Sequence, residues 1–139
     1  AFDYKSGPLP ELLREAAPDG IDVYFDNVGG DHLEAAIGAL RNNGRVSMCG
    51  AISEYDADEP PPGPRNLFLL VAKNLTIRGF RGSSHVDLMQ DMFRDISGWL
   101  REGRIRYQET VVEGLENAPT ALARLMRGDT SGKTVVRIA

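Results

Sequence analysis

Three short runs in this chain place glycine and small polar side chains directly after an apolar stretch. They are Asp26-Asn27-Val28-Gly29-Gly30, Cys49-Gly50-Ala51-Ile52-Ser53-Glu54-Tyr55 and Phe80-Arg81-Gly82-Ser83-Ser84. Glycine lets a ligand approach the backbone closely, so such runs are suited to hold one. The same residue types are what ordinary strand-to-helix turns require, and composition leaves both readings open. Metal chemistry is poorly served. One cysteine and two histidines, His32 and His85, cannot build a four-ligand zinc site of the usual Cys/His type within the chain. Cys49 has no His or Lys beside it and reads as a small buried strand-end residue rather than a nucleophile. His85 reads as a surface residue at a helix start. Neither GxGxxG nor GxxxxGK[ST] occurs, so the phosphate-binding first turn of a complete dinucleotide fold is not among these residues.

The elements that must position the three runs follow from apolar spacing. Ile21 to Phe25 reads as a short, mostly buried strand. Asp31 suits a helix N-cap with Glu34 completing a capping-box pair. Leu33, Ala36, Ile37 and Leu40 then share one helical face, and Asn42-Asn43-Gly44 ends that helix. Arg45 to Cys49 is the next strand. Ala51 to Pro64 is irregular, because Pro60-Pro61-Pro62-Gly63-Pro64 must be extended or turn-like. Leu67, Leu70 and Val71 mark a short helix. Leu75 to Phe80 reads as a third strand, and its alternation fits an edge or half-exposed position. Val86 to Glu102 is a long helix with Met89, Met92, Phe93, Ile96 and Leu100 on its buried side. Tyr107 to Val112 is a strand, Asn117-Ala118-Pro119 starts a helix, and Thr134 to Ile138 is the last strand. Strands alternating with helices predict a parallel α/β sheet, whose ligands bind outside the carboxyl ends of the strands. All three polar runs fall at such ends.

Composition excludes several classes. The chain has 139 residues, enough to bury a core, with 16 Lys+Arg against 20 Asp+Glu and a net charge of −4. Mild acidity without a basic cluster argues against nucleic acid or an anionic membrane as the main partner. No apolar run approaches the roughly 20 residues of a membrane span. A single cysteine excludes an internal disulfide framework and fits a reducing cytoplasm.

Several ordered pieces resemble one family: Ile21 to Gly30, Cys49 to Tyr55, Gly63-Pro64-Arg65-Asn66, Val112 to Pro119, and the closing Gly132-Lys133-Thr134-Val135-Val136. Together they resemble the zinc-independent, NADP-dependent branch of the medium-chain dehydrogenase/reductases, the group of prostaglandin, 2-alkenal and curcumin reductases. That resemblance implies an α/β chain in two parts. Residues 1–103 are expected to be the C-terminal part of a Rossmann-type NADP-binding domain. Residues 104–139 are expected to be the returning segment of a GroES-like substrate domain. It also implies that the Gly-rich half of the Rossmann domain precedes Ala1, and that the 139 residues alone are inactive.

Residue by residue, the resemblance makes Tyr4 the tyrosine beside the adenosine 2′-phosphate. Asn27 becomes the cofactor-contacting asparagine. Cys49, Gly50, Ala51, Ile52, Ser53 and Tyr55 form the loop along the ribose and nicotinamide, and Phe80, Arg81 and Gly82 the backbone near the nicotinamide. Two departures stand out. Thr130 occupies the place of a cofactor-contacting asparagine. Arg81 to Ser84 replace apolar and aromatic residues that face substrate, which implies a more polar pocket. The implied reaction is reduction of the C=C bond of an α,β-unsaturated aldehyde or ketone, with Tyr55 as candidate hydrogen-bond donor to the developing enolate. A homodimer through the edge strand Leu75–Phe80 is also implied. The competing readings are a quinone reductase of the same superfamily and a non-catalytic module that binds nucleotide or self-associates.

Overall fold

The computed structural model describes residues 1–59 and 61–138, so Pro60, part of the expected proline-rich run, lies outside the described residues. The chain divides into two compact units, Ala1–Arg81 and Gly82 onward.

In the first unit, β1 (Ile21–Asp26), β2 (Leu40–Met48) and β3 (Thr76–Gly79) form an all-parallel sheet in the order β1-β2-β3. Helix α1 (Leu9–Ala16) precedes the sheet, α2 (Gly30–Ala39) links β1 to β2, and α3 (Phe68–Ala72) leads into β3. The core forms where α2 lies on the sheet. Leu33 and Ile37 of α2 pack with Leu40 and Val46 of β2, and Ile21, Tyr24, Leu69, Leu75 and Ile77 close around them. The third strand sits at the sheet edge, in keeping with its alternation.

Three expectations about this unit need correction. β1 is buried on one face only. Val23 and Phe25 are 55% and 53% exposed, because alternate side chains point to opposite faces and the helices of this unit pack on the other one. Asp31 does not cap α2. The N-cap is Gly29, at φ 72, and Asp31 lies inside the first turn. Glu34 turns away from the helix start to bind Arg65. The helix also stops earlier than Asn42-Asn43-Gly44. Leu40 is already extended and pairs with Ile21, and residues 41–44 form an irregularity before Val23 pairs with Arg45. Asn43 does take a left-handed φ of 64, but inside this strand. The stop comes from a distant residue: the Lys73 ammonium donates to the carbonyls of Gly38 and Leu40 at 2.7 Å each, satisfying the end of α2.

The second unit contains α4 (Met89–Arg101), β4 (Glu109–Glu113), α5 (Ala118–Met126) and β5 (Lys133–Arg137), with β4 and β5 paired in parallel. Pro119 sits in the first turn of α5 as expected. Ala121 is buried beneath the helix, while Leu122 and Leu125 are exposed. The apolar side of α4 was expected to be buried and is not. Met92 and Phe93 are 43% and 58% exposed, because periodicity marks an apolar face without supplying the surface that covers it.

Candidate functional site

A parallel sheet brings its strand ends to one edge, and here two of the three polar runs interlock there. The carbonyl of Asp26, last in β1, accepts the N–H groups of Cys49 at 2.8 Å and Gly50 at 3.1 Å. The Asn27 carbonyl accepts Ile52 N–H at 3.0 Å, and the Val28 carbonyl accepts Ser53 N–H at 3.1 Å. The Ser53 hydroxyl donates to the same Val28 carbonyl at 2.5 Å. The turn after β1 and the loop after β2 therefore form one backbone platform.

Asp26 organises the platform, and sequence reasoning gave it no separate role. It is fully buried. Its Oδ1 accepts the Tyr24 hydroxyl at 3.0 Å and the N–H groups of Val28 at 2.9 Å and Gly29 at 3.0 Å. Burial, together with the hydrogen bond and charge of Asp26, pushes the Tyr24 phenol well above its ordinary range. Oδ2 has no protein partner among the described residues. The available signal was an Asp closing an apolar strand just before Gly-Gly, where a carboxylate can accept turn N–H groups.

One glycine, Gly29, stands at the close approach of the two runs, and another, Gly50, inside the second run. A Cβ on Gly29 would stand 2.8 Å from Glu54 Oε1 and 3.0 Å from Ala51 Cβ, at a φ that side chains rarely adopt. A Cβ on Gly50 would stand 2.9 Å from the Tyr55 hydroxyl oxygen. That hydroxyl accepts Ala51 N–H at 3.2 Å and leaves its own proton free to donate. Asn27, Cys49, Ile52, Ser53 and Tyr55 are all exposed, with Gly50 and Ala51 half-buried between them. The exposure of Cys49 corrects its expected burial: it follows the last residue of β2, beyond the cover of α2.

The remaining residues divide. The ring of Phe80, directly after β3, packs on Phe25 with centroids 5.7 Å apart, and Phe80 N–H bonds the Met48 carbonyl at 2.9 Å. Arg81 follows it, exposed. Tyr4 stands apart from the platform, edge-on to His32 in the first turn of α2 at 5.1 Å. It lines an open groove of about 930 Å³ between α1 and α2, which the platform residues do not reach. Gly82 and Thr130 belong to the second unit, where Gly82 accepts His85 N–H and Thr130 meets the Thr134 hydroxyl at 3.2 Å. Among the described residues no group of three or more His, Cys, Asp or Glu is placed to hold a metal ion. None of the described helices is long and apolar enough to cross a membrane.

A parallel α/β sheet with a backbone platform at its carboxyl edge has the form in which open α/β sheets bind ligands. Residues 1–136 match the family described as zinc-binding dehydrogenases, and the chain belongs to that family. It is similar to prostaglandin reductase 1 of Rattus norvegicus, at 41% identity over 99% of this chain and 42% of that protein. It is also similar to the NADPH-dependent curcumin reductase of Escherichia coli, at 37% identity over 99% of this chain and 41% of that protein. Among solved structures it resembles CurA from Vibrio vulnificus in complex with NADPH. There the TM-score is 0.87 and the identity 35%, over 99% of this chain and 42% of that one. The chain thus spans about two fifths of the length of the relatives it matches.

Proposed function

We propose that the chain is the cofactor-facing part of a zinc-independent, NADP-dependent oxidoreductase that reduces the C=C bond of α,β-unsaturated aldehydes or ketones. The observation that carries this reading is the platform that Asp26 to Val28 build with Cys49 to Ser53, in a chain 41% identical to a prostaglandin reductase.

The residues present fit a dinucleotide at its nicotinamide end. Gly50 has no side chain, so only backbone is presented there, and a Cβ would displace the Tyr55 hydroxyl. Asn27 offers an exposed amide beside it, and exposed Phe25, packed on half-buried Phe80, offers aromatic surface for a flat ring. When bound, NADPH supplies the hydride for the β-carbon of the substrate. Asn27 and the backbone of Cys49 to Ile52 orient the nicotinamide riboside, and Phe80, Arg81 and Gly82 flank it. Tyr4 meets the 2′-phosphate end. The Tyr55 phenol donates a hydrogen bond to the substrate carbonyl oxygen, where negative charge collects as the alkene is reduced.

Residues 1–103 belong to the Rossmann domain and 104–139 to the returning segment of the substrate domain. The protein works as a cytoplasmic homodimer joined at the edge strand, on small-molecule substrates. Following NADPH absorbance with the full-length protein and a panel of short 2-alkenals, cyclic enones and quinones tests the reading. Turnover of alkenals or enones supports it, and inactivity on the whole panel overturns it.

A further inference from the structure

Asp26 holds the turn after β1 with its side chain and its main chain together. The carboxylate Oδ1 accepts the N–H groups of Val28 at 2.9 Å and Gly29 at 3.0 Å, the two residues that follow Asn27. The Asp26 carbonyl accepts Cys49 N–H at 2.8 Å and Gly50 N–H at 3.1 Å, at the start of the second run. Asn27 lies between these bonds, and its own carbonyl accepts Ile52 N–H at 3.0 Å. The backbone on both sides of the Asn27 Cα is therefore fixed by direct hydrogen bonds. The Asn27 side chain is exposed, and its amide has no hydrogen-bond partner among the described residues.

A turn of this kind needs no carboxylate, since Asn, Ser and Thr side chains accept the same turn N–H groups. Burying a carboxylate is costly unless it is well paired. Asp26 is fully buried, with three donors on Oδ1 and no partner for Oδ2 among the described residues. A buried group left short of partners calls for a reason beyond stability. What the carboxylate adds is bond strength. Hydrogen bonds to an ionised acceptor are shorter and roughly twice as strong as neutral ones, so they hold the turn to a narrower range of geometries.

We infer that Asp26 is a positioning residue for the cofactor: its carboxylate fixes where the Asn27 amide stands, so that the amide meets the nicotinamide riboside. This role rests on the cofactor contact proposed above for Asn27. Weakening the carboxylate's hold on the Val28 and Gly29 N–H groups spreads the amide over more orientations. The fraction of protein ready to bind then falls, and the apparent affinity falls with it. The loss runs through the Asn27 amide and is separable from any change in the stability of the fold.

The test uses the full-length protein, with NADPH fluorescence reading binding and urea unfolding followed in parallel. The variants are Asp26→Asn, Asn27→Ala, the two combined, and Tyr24→Phe. Asp26→Asn keeps an oxygen for the turn N–H groups and exchanges charged bonds for neutral ones. It is expected to raise the Kd for NADPH about fivefold. Asn27→Ala is expected to raise it by at least as much, and the combination no further, because Asp26 acts through the amide that Asn27→Ala removes. Tyr24→Phe withdraws one donor from Oδ1 and leaves both turn bonds, so it is expected to lower the urea midpoint with the Kd unchanged. Should Asp26→Asn not fold, Asp26→Ser, whose hydroxyl still accepts a turn N–H, goes through the same cycle. An unchanged Kd in the Asp26 variant, or the same fold loss with and without the Asn27 amide, overturns the positioning role. So does a Kd that rises in Tyr24→Phe along with its loss of stability. A wild-type protein that binds no NADPH overturns the proposed cofactor contact and this role with it. Binding by the wild type with an uncoupled cycle overturns this role alone.

Discussion

The Tyr55 hydroxyl oxygen lies 2.9 Å from where a Cβ on Gly50 would stand, so the absence of a side chain at Gly50 is what lets Tyr55 fold back over its own loop. Two substitutions should therefore give one phenotype. Tyr55→Phe removes the donor, and kcat/KM for an alkenal should fall about tenfold to a hundredfold. Gly50→Ala should displace the phenol and cost a similar factor. The atom it meets is the far end of a flexible side chain, so the protein should fold normally. The double variant should be no worse than either single one, since both remove the same interaction. Additive losses in steady-state kinetics would mean that Gly50 and Tyr55 act separately.

Asp26 should be the most stability-sensitive polar residue of the platform. Its Oδ1 serves two turn N–H groups and the Tyr24 hydroxyl in a fully buried position. Asp26→Ala strands those donors and should cost about 2–4 kcal/mol in urea unfolding. Tyr24→Phe removes one neutral donor from the same carboxylate and should cost about 1 kcal/mol. A loss at Asp26 no larger than that at Tyr24 would place the stability of the platform elsewhere.

What could be read from the sequence was what depends on neighbours in the chain. Apolar runs ending in Asp-Asn-Val-Gly-Gly and Cys-Gly-Ala gave two strands and placed the polar residues at their carboxyl ends, where the structure joins them. What could not be read depends on residues far apart. The end of α2 is set by Lys73 reaching Gly38 and Leu40, so a left-handed Asn43 looked like a helix cap and is a strand irregularity. Glu34 looked like a capping-box partner because nothing local announces Arg65, 31 residues on. The apolar stripe of α4 was visible, whereas its cover is a property of tertiary packing. Cys49 looked buried from its apolar strand, and one residue of overhang past β2 exposes it.

Acid should break the pair that Glu34 forms with Arg65. Hydrogen bonds from the Arg65 side chain and backbone hold this carboxyl below its ordinary 4.5. A depressed carboxyl stabilises the fold fully above its unfolded pKa, and the contribution is lost as pH falls through the lower folded value. The thermal midpoint of wild type should therefore exceed that of Glu34→Gln by a constant margin above pH 4.5, with the margin closing below it. Added salt should narrow the margin at neutral pH. A margin that widens on acidification would reverse the assignment.

The proposed dimer places a second copy against β3, an edge strand in which Ile77 alone is half-buried. Edge strands pair when flat and are blunted by lysine. Light scattering of the full-length protein should give twice the monomer mass. Thr76→Lys, at an exposed edge position, should shift it toward monomer. A monomer at high concentration would remove this face from the assembly.

The 139-residue polypeptide by itself should bind NADPH weakly. In the proposed reading its platform serves the nicotinamide end through Asn27 and the Cys49–Ile52 backbone, but the chain contains no GxGxxG turn. Such a turn presents helix N-terminal N–H groups to the pyrophosphate, the most highly charged part of the cofactor. Hydrogen bonds to the riboside alone must offset the entropy of immobilising the whole dinucleotide, and a few neutral contacts do so poorly. Titration calorimetry should show no heat of binding at micromolar NADPH for this polypeptide and clear binding for the full-length protein. Equal affinities would mean that the platform, rather than a phosphate cradle, supplies the binding energy.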